Sequence, residues 1–175
     1  MNATRTEPPG LASRLQQDMD LDAGRIPAYL FNDPQVYQRE LETIFERCWQ
    51  CVGHASEVPE PGDYVTRYLG PDPVIVVRSE DSQVRVLLNV CRHRGMRICR
   101  SDLGNSAHFR CPYHGWTYRN DGQLTGVPYQ QLAYGDTLDR TAIQLREARV
   151  AEYGGLIFAT WDETCLLYTS DAADE

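Results

Sequence analysis

The sequence predicts a mostly β protein with an N-terminal helix, an α+β chain whose strands form antiparallel sheets. Segments of alternating or β-branched residues recur from Asp63 to Thr160, which is the pattern of strands. Tight-turn sequences separate these segments, above all Asn-Asp-Gly at residues 120–122 and Gly-Gly at residues 154–155, and such turns join antiparallel neighbours. Ahead of the strands, residues 32–34 read Asn-Asp-Pro, a sequence typical of a helix start.

The predicted helix begins at Pro34, with Asp33 as its N-terminal cap. Helical spacing places six side chains on one face: Val36, Tyr37, Leu41, Ile44, Phe45 and Cys48. We expect this face to pack in the core. Residues 1–24 are polar with little pattern, and we interpret them as an N-terminal arm.

The strands are predicted from period-two alternation and from the turns between them. The predicted segments are residues 64–69, 73–78, 84–88, 108–110, 116–119, 146–152 and 156–160. Residues 79–83 form a connecting turn in this interpretation, and residues 127–142 form a loop or short helices.

Composition excludes several classes of function. The chain has 175 residues and a net charge of −8, which argues against a nucleic-acid-binding protein. No apolar run approaches the roughly eighteen residues of a membrane span, and the first ten residues lack the apolar core of a signal peptide. Six cysteines without an export signal indicate a reducing, cytoplasmic location.

Two short motifs carry the chemistry. Cys91 and His93 are separated by one residue, and Cys111 and His114 by two. A zinc site could use two Cys and two His, but zinc fingers pair like ligands with like. One Cys and one His in each motif suit a [2Fe-2S] cluster in which two thiolates hold one iron and two imidazoles hold the other. We therefore predict Cys91, His93, Cys111 and His114 as the metal ligands, with zinc as the alternative.

Residues 87–95 and 111–116 resemble the Rieske domain of aromatic-ring-hydroxylating dioxygenase large (α) subunits, and the resemblance runs from about Arg25 to Asp162. It implies a Rieske domain with its leading helix over residues 25–164. It also implies that a ferredoxin or reductase supplies electrons to the cluster. Other α subunits and a β subunit are the further partners that the resemblance implies. The mononuclear Fe(II) and the catalytic residues are expected in a catalytic domain that this chain lacks.

The resemblance leaves two alternative functions open. One is a Rieske monooxygenase acting on a non-aromatic substrate, and the other is a stand-alone Rieske ferredoxin. Respiratory Rieske proteins carry disulfide cysteines where this chain has Met96 and Tyr113, and a serine where it has Trp116. Fewer donors to the cluster predict a low reduction potential for a Rieske centre.

The remaining candidate ligands receive structural interpretations. Cys48 and Cys51 form a Cys-x-x-Cys sequence, and we expect both to be buried, because free cysteine behaves as a small apolar residue. His54 is likewise interpreted as structural. Residues 165–175 resemble a translated sequencing adapter and are predicted to be a non-native tail.

Overall fold

A computed structural model of the chain describes residues 10–165. The chain divides into two compact units, Met1–Ile44 and Phe45–Glu175. The predicted domain limits at residues 24 and 164 stay predictions. The predicted non-native tail lies outside the described residues except for Cys165, as do the first nine residues of the predicted arm.

The N-terminal unit is helical. Helix α1 spans Leu11–Asp18, a 3-10 turn spans Ala28–Phe31 and helix α2 spans Pro34–Glu40. The start of α2 confirms the prediction, since the Asp33 carboxylate accepts a hydrogen bond from the Gln35 backbone N–H at 2.8 Å.

The predicted packed face of this helix is wrong at three of its six positions, since Tyr37, Ile44 and Cys48 are exposed. Val36 is buried, but Tyr37 and Ile44 are 55% and 47% exposed. Helix α2 ends at Glu40, and a π-helical turn follows at Leu41–Phe45. Because a π turn is wider than an α turn, the 3.6-residue spacing on which the face was drawn is not kept.

The second unit contains two antiparallel sheets. The larger has seven strands in the order β1-β10-β9-β4-β3-β2-β5 and the smaller has the order β6-β7-β8. Their bounds are β1 Gln50–His54, β2 Asp63–Leu69, β3 Asp72–Arg78, β4 Val84–Leu88, β5 Leu103–Asn105, β6 His108–Arg110, β7 Thr117–Arg119, β8 Leu124–Gly126, β9 Glu147–Tyr153 and β10 Leu156–Thr160. Helix α3 spans Gln130–Tyr134, and 3-10 turns span Ala55–Glu57 and Arg140–Ala142.

The mostly β fold and its hairpins confirm the sequence prediction. The β7–β8 turn has Gly122 at a φ of +89°, and Gly154 and Gly155 in the β9–β10 turn have φ of +58° and +83°, values that favour glycine. Strands β1, β5 and β8 were not among the predicted segments. Strand β1 lies at the edge of the large sheet. It pairs with β10, with Gln50 opposite Ala159.

Strand β3 explains where the core lies. Val74 and Val76 join one buried cluster with residues of β1, β2 and β10. Ile75 and Val77 join another with Phe109 of β6 and residues of β4, β7 and β8. Because successive side chains of a strand point to opposite faces, the large sheet is buried on both sides here. The second cluster connects the two sheets.

Among residues 10–165, no helix is long and apolar enough to cross a membrane.

Candidate metal centre

Two loops with the same backbone pattern form the site. The first runs from Cys91 to Met96, shortly after β4, and the second from Cys111 to Trp116, between β6 and β7. In each loop the cysteine N–H donates to the carbonyl five residues later, at 2.8 Å in both cases. The glycine four residues after each cysteine donates back to the cysteine carbonyl. Both glycines, Gly95 and Gly115, have a φ of +72°, so both loops need a residue without a side chain.

The thiols of the two loops lie together in the core that connects the sheets. Cys91 and Cys111 are 3% and 2% exposed. Burial raises the pKa of the Cys91 thiol, the hydroxyl of Tyr118 lowers it, and the nearby Cys111 thiol raises it further. Two adjacent buried thiols are suited to a soft metal centre.

Tyr118 of β7 crosses from the second loop to the first. Its hydroxyl lies 3.3 Å from the Cys91 Sγ and accepts a hydrogen bond from the Arg92 backbone N–H at 3.1 Å. The Tyr118 side chain is fully buried, and burial followed by the Cys91 contact raises the pKa of its phenol. The phenol therefore stays protonated and can donate to a thiolate.

The two imidazoles lie next to each other and are half-buried. The ring centroids of His93 and His114 are 4.6 Å apart, and their planes are inclined at 70°. Trp116 stacks on His93 with 4.8 Å between ring centroids and 7° between ring planes. Burial lowers the pKa of His93, and the charges of His114 and Arg94 lower it further. His93 is therefore held neutral, the form that binds metal.

The donors fit a [2Fe-2S] cluster. The Nδ1 atom of His93 is buried, yet within residues 10–165 it has no hydrogen-bond partner. An unpartnered buried nitrogen is costly unless something else binds it. Both histidines and Cys111 line a surface depression of about 700 Å³. In the described part of the chain, no three His, Cys, Asp or Glu side chains converge on one ion. The four donors instead form one pair of thiols and one pair of imidazoles.

All four predicted ligands are thus brought together, and their binding of the cluster stays a prediction. The predicted burial of Cys48 and Cys51 is wrong, since both are exposed. Strand β1 begins at Gln50, and Cys48 lies ahead of it. His54, given the same interpretation, is also exposed rather than buried. Its ring accepts from the Ser56 backbone N–H and caps the turn at Ala55–Glu57.

Sequence reasoning missed three supporting residues: Asn89, Tyr118 and Tyr134. Asn89 is fully buried and its amide hydrogen-bonds to the backbone of Ile98 and Cys99. For Asn89 and Tyr118 the available signal was their position in the sequence. Asn89 directly follows a predicted strand, and Tyr118 lies two residues after Trp116 on the strand that leaves the motif. A polar group buried at either place requires a hydrogen-bond partner.

Comparison with known proteins identifies the family. Residues 48–143 match the Rieske [2Fe-2S] domain. The chain is 46% identical over 171 residues to the benzene 1,2-dioxygenase subunit alpha of Pseudomonas putida, an alignment covering 95% of this chain and 38% of that protein. The chain thus spans little more than a third of that relative's length.

Two solved structures have the same fold over most of the chain. Naphthalene 1,2-dioxygenase from Rhodococcus sp. bound to indole matches with a TM-score of 0.78 and 47% identity, over 87% of this chain and 34% of that one. A quaternary ammonium Rieske monooxygenase in complex with L-carnitine matches with a TM-score of 0.72 and 33% identity, over 81% and 40%. On the match to the domain and on the paired thiols and imidazoles, this chain belongs to the Rieske [2Fe-2S] domain family.

Proposed function

We propose that this chain is the electron-transfer part of a ring-hydroxylating dioxygenase α subunit that acts in the catabolism of aromatic compounds. The observation that carries the proposal is the pairing of two buried thiols and two adjacent imidazoles on two loops of matching hydrogen-bond pattern. The aromatic substrate class is supported by the names of relatives such as benzene 1,2-dioxygenase.

In this proposal Cys91 and Cys111 hold one iron, and His93 and His114 hold the other. The cluster, when bound, accepts and gives up one electron. The protein's own part is to keep the thiols away from water, to donate a hydrogen bond to Cys91 from Tyr118, and to leave the imidazoles at the surface. The imidazole edge is then the side nearest to an electron acceptor.

The partners in this proposal follow from the direction of electron flow. A ferredoxin or reductase supplies the electron, and a mononuclear Fe(II) in the catalytic domain of the longer protein receives it. Other α subunits, and a β subunit, complete the assembly. The relative in Pseudomonas putida is itself named as a subunit, which supports a multi-subunit enzyme.

The test is reconstitution of the chain with iron and sulfide, followed by EPR of the reduced protein. We expect a mixed-ligand Rieske signal that Cys91→Ser abolishes. The matched control is the double variant Cys48→Ser, Cys51→Ser, which changes two exposed thiols and should keep the signal. A folded double variant without the signal, or a Cys91→Ser variant with it, would contradict the ligand assignment.

One alternative is supported by a specific observation. The fold also matches a quaternary ammonium Rieske monooxygenase with a TM-score of 0.72, so a monooxygenase acting on a non-aromatic substrate would use the same electron-transfer domain. Product analysis of the longer protein distinguishes the two: a cis-diol from an arene supports the dioxygenase, and a singly hydroxylated or demethylated amine supports the monooxygenase.

A further inference from the structure

The two ring nitrogens of His93 have different surroundings. Nδ1 is the buried atom that lacks a hydrogen-bond partner within residues 10–165. Nε2 lies 3.4 Å from the hydroxyl of Tyr134, the last residue of α3. A metal-bound imidazole uses one nitrogen for the metal and donates the N–H of the other to a nearby acceptor. The surroundings therefore leave Nδ1 for iron and Nε2–H for Tyr134.

Tyr134 is held in place independently of His93. The Thr137 backbone N–H and side-chain hydroxyl both donate to the Tyr134 carbonyl, at 3.1 and 2.6 Å. The Tyr134 ring meets Trp116 edge to face at 6.3 Å, and Trp116 stacks flat on His93. Contacts to both the backbone and the ring of Tyr134 thus hold its hydroxyl next to His93.

The second histidine lacks this arrangement. In the described part of the chain the His114 ring makes no hydrogen bond, although it lies against the ring of Tyr113 at 3.7 Å. The two histidine ligands of the proposed cluster are therefore not equivalent, and the Tyr134 hydroxyl is the one hydrogen-bonding group that distinguishes them among the described residues.

We infer that Tyr134 is a positioning residue for His93: its hydroxyl accepts a hydrogen bond from Nε2–H and fixes the orientation of the ring, with Nδ1 left for iron. The inference rests on the proposed function, because it requires His93 to be a ligand. An acceptor on the outer nitrogen makes the imidazole a more electron-rich ligand. Such a ligand favours the ferric state, so the contact lowers the reduction potential of the centre.

The test compares two single variants of the cluster-loaded 175-residue chain. Tyr134→Phe removes the hydroxyl and keeps the ring against Trp116. Tyr129→Phe is the matched control, since Tyr129 precedes the same helix and is 82% exposed. The measurements are the midpoint potential by voltammetry and the two histidine nitrogen couplings by pulsed EPR of the reduced protein.

For Tyr134→Phe we expect a higher midpoint potential and a change in one histidine coupling, with the other coupling kept. Tyr129→Phe should match the unaltered chain in both measurements. An unchanged or lower midpoint in Tyr134→Phe, or two unchanged couplings, would overturn the inference. Absence of a Rieske signal from the unaltered chain would instead refute the proposed function.

If Tyr134→Phe does not retain the cluster, nitrogen-15 NMR of the histidines in the metal-free chain decides the question. The His93–Tyr134 contact requires no metal, so the His93 Nε2 resonance should shift in Tyr134→Phe and stay in place in Tyr129→Phe. Equal His93 spectra in all three proteins would overturn the inference.

Discussion

The two cysteine-histidine loops share one backbone pattern but are supported by different means. The second loop connects β6 and β7, paired strands of the small sheet. The first is closed by a single bridge between Val90 and Arg97, and the buried amide of Asn89 supplies the hydrogen bonds that a strand pair would otherwise supply. A loop of the same backbone shape can therefore be held by hydrogen bonds between paired strands or by one buried side chain. Only the support from a side chain can be removed by a single substitution.

The largest expected effect comes from Asn89→Ala. The change leaves the buried N–H groups of Ile98 and Cys99 and the Cys99 carbonyl without their side-chain partner. Since each unsatisfied buried group costs on the order of 1–3 kcal/mol, we expect a loss of roughly 4 kcal/mol. Urea unfolding measures it. The control is Asn120→Ala, whose amide contacts are longer, at 3.4 and 3.5 Å, and should cost about 1 kcal/mol. Equal losses would show that the first loop does not depend on Asn89.

The two glycines test the loops at equivalent positions. Gly95→Ala and Gly115→Ala both place a side chain at a φ of +72°, which costs about 1 kcal/mol. A Cβ at Gly95 meets no described protein atom within 4 Å, whereas at Gly115 it would lie 2.9 Å from Pro128 Cγ. Overpacking adds roughly 2 kcal/mol at Gly115, so Gly115→Ala should have the lower melting temperature. The reverse order would mean that the cluster fills the space beside Gly95.

Tyr118→Phe removes the hydroxyl that links the second loop to the first. The phenol contacts Cys91 of the first loop, so its loss should destabilise the reduced, more negative centre and lower the midpoint potential. One hydrogen bond to a charged group is worth about 1.5 kcal/mol, which corresponds to about 65 mV for one electron. Voltammetry measures the shift against the control Tyr153→Phe, a change at an exposed strand residue. An unchanged midpoint potential in Tyr118→Phe would show that the Tyr118 hydroxyl does not influence the potential.

The smallest effect concerns the turn that leads into β4 and so to the first loop. Hydrogen bonds from Ser79, the Gln83 backbone and Arg85 lower the pKa of Asp81 to about 2. Because the unfolded value is about 3.9, this stabilisation is complete above about pH 4 and is lost as the pH falls toward 2. It is modest, since the Asp81 side chain is 51% exposed and solvent screens the charge.

Acid unfolding of Asp81→Asn should therefore show a flatter loss of stability between about pH 4 and pH 2. Asp22→Asn, at an exposed position of the N-terminal unit, is the control and should follow the unaltered protein. If the loss of stability between about pH 4 and pH 2 is the same in all three proteins, ionised Asp81 does not contribute to stability.

Sequence alone predicted those parts of the fold and site that depend on local patterns. The hairpins at residues 120–122 and 154–155 were predictable because their turns need φ values that few residues adopt. The grouping of the four ligands was predictable because each motif is short. Strand β1 was not, since its partner β10 lies about a hundred residues later in the chain. Tyr118 and Tyr134 were missed for the same reason, because their contacts cross between loops.

The pairing pattern also has a consequence for the order of events during synthesis. Strands β6, β7 and β8 pair only within His108–Gly126, and local pairs form faster than distant ones. The residues of this small sheet and of both cysteine-histidine loops are also all synthesised before β10, the partner of β1. We expect a released fragment that ends shortly after Gly126 to contain all four donors, so iron insertion need not wait for β1 and β10 to pair.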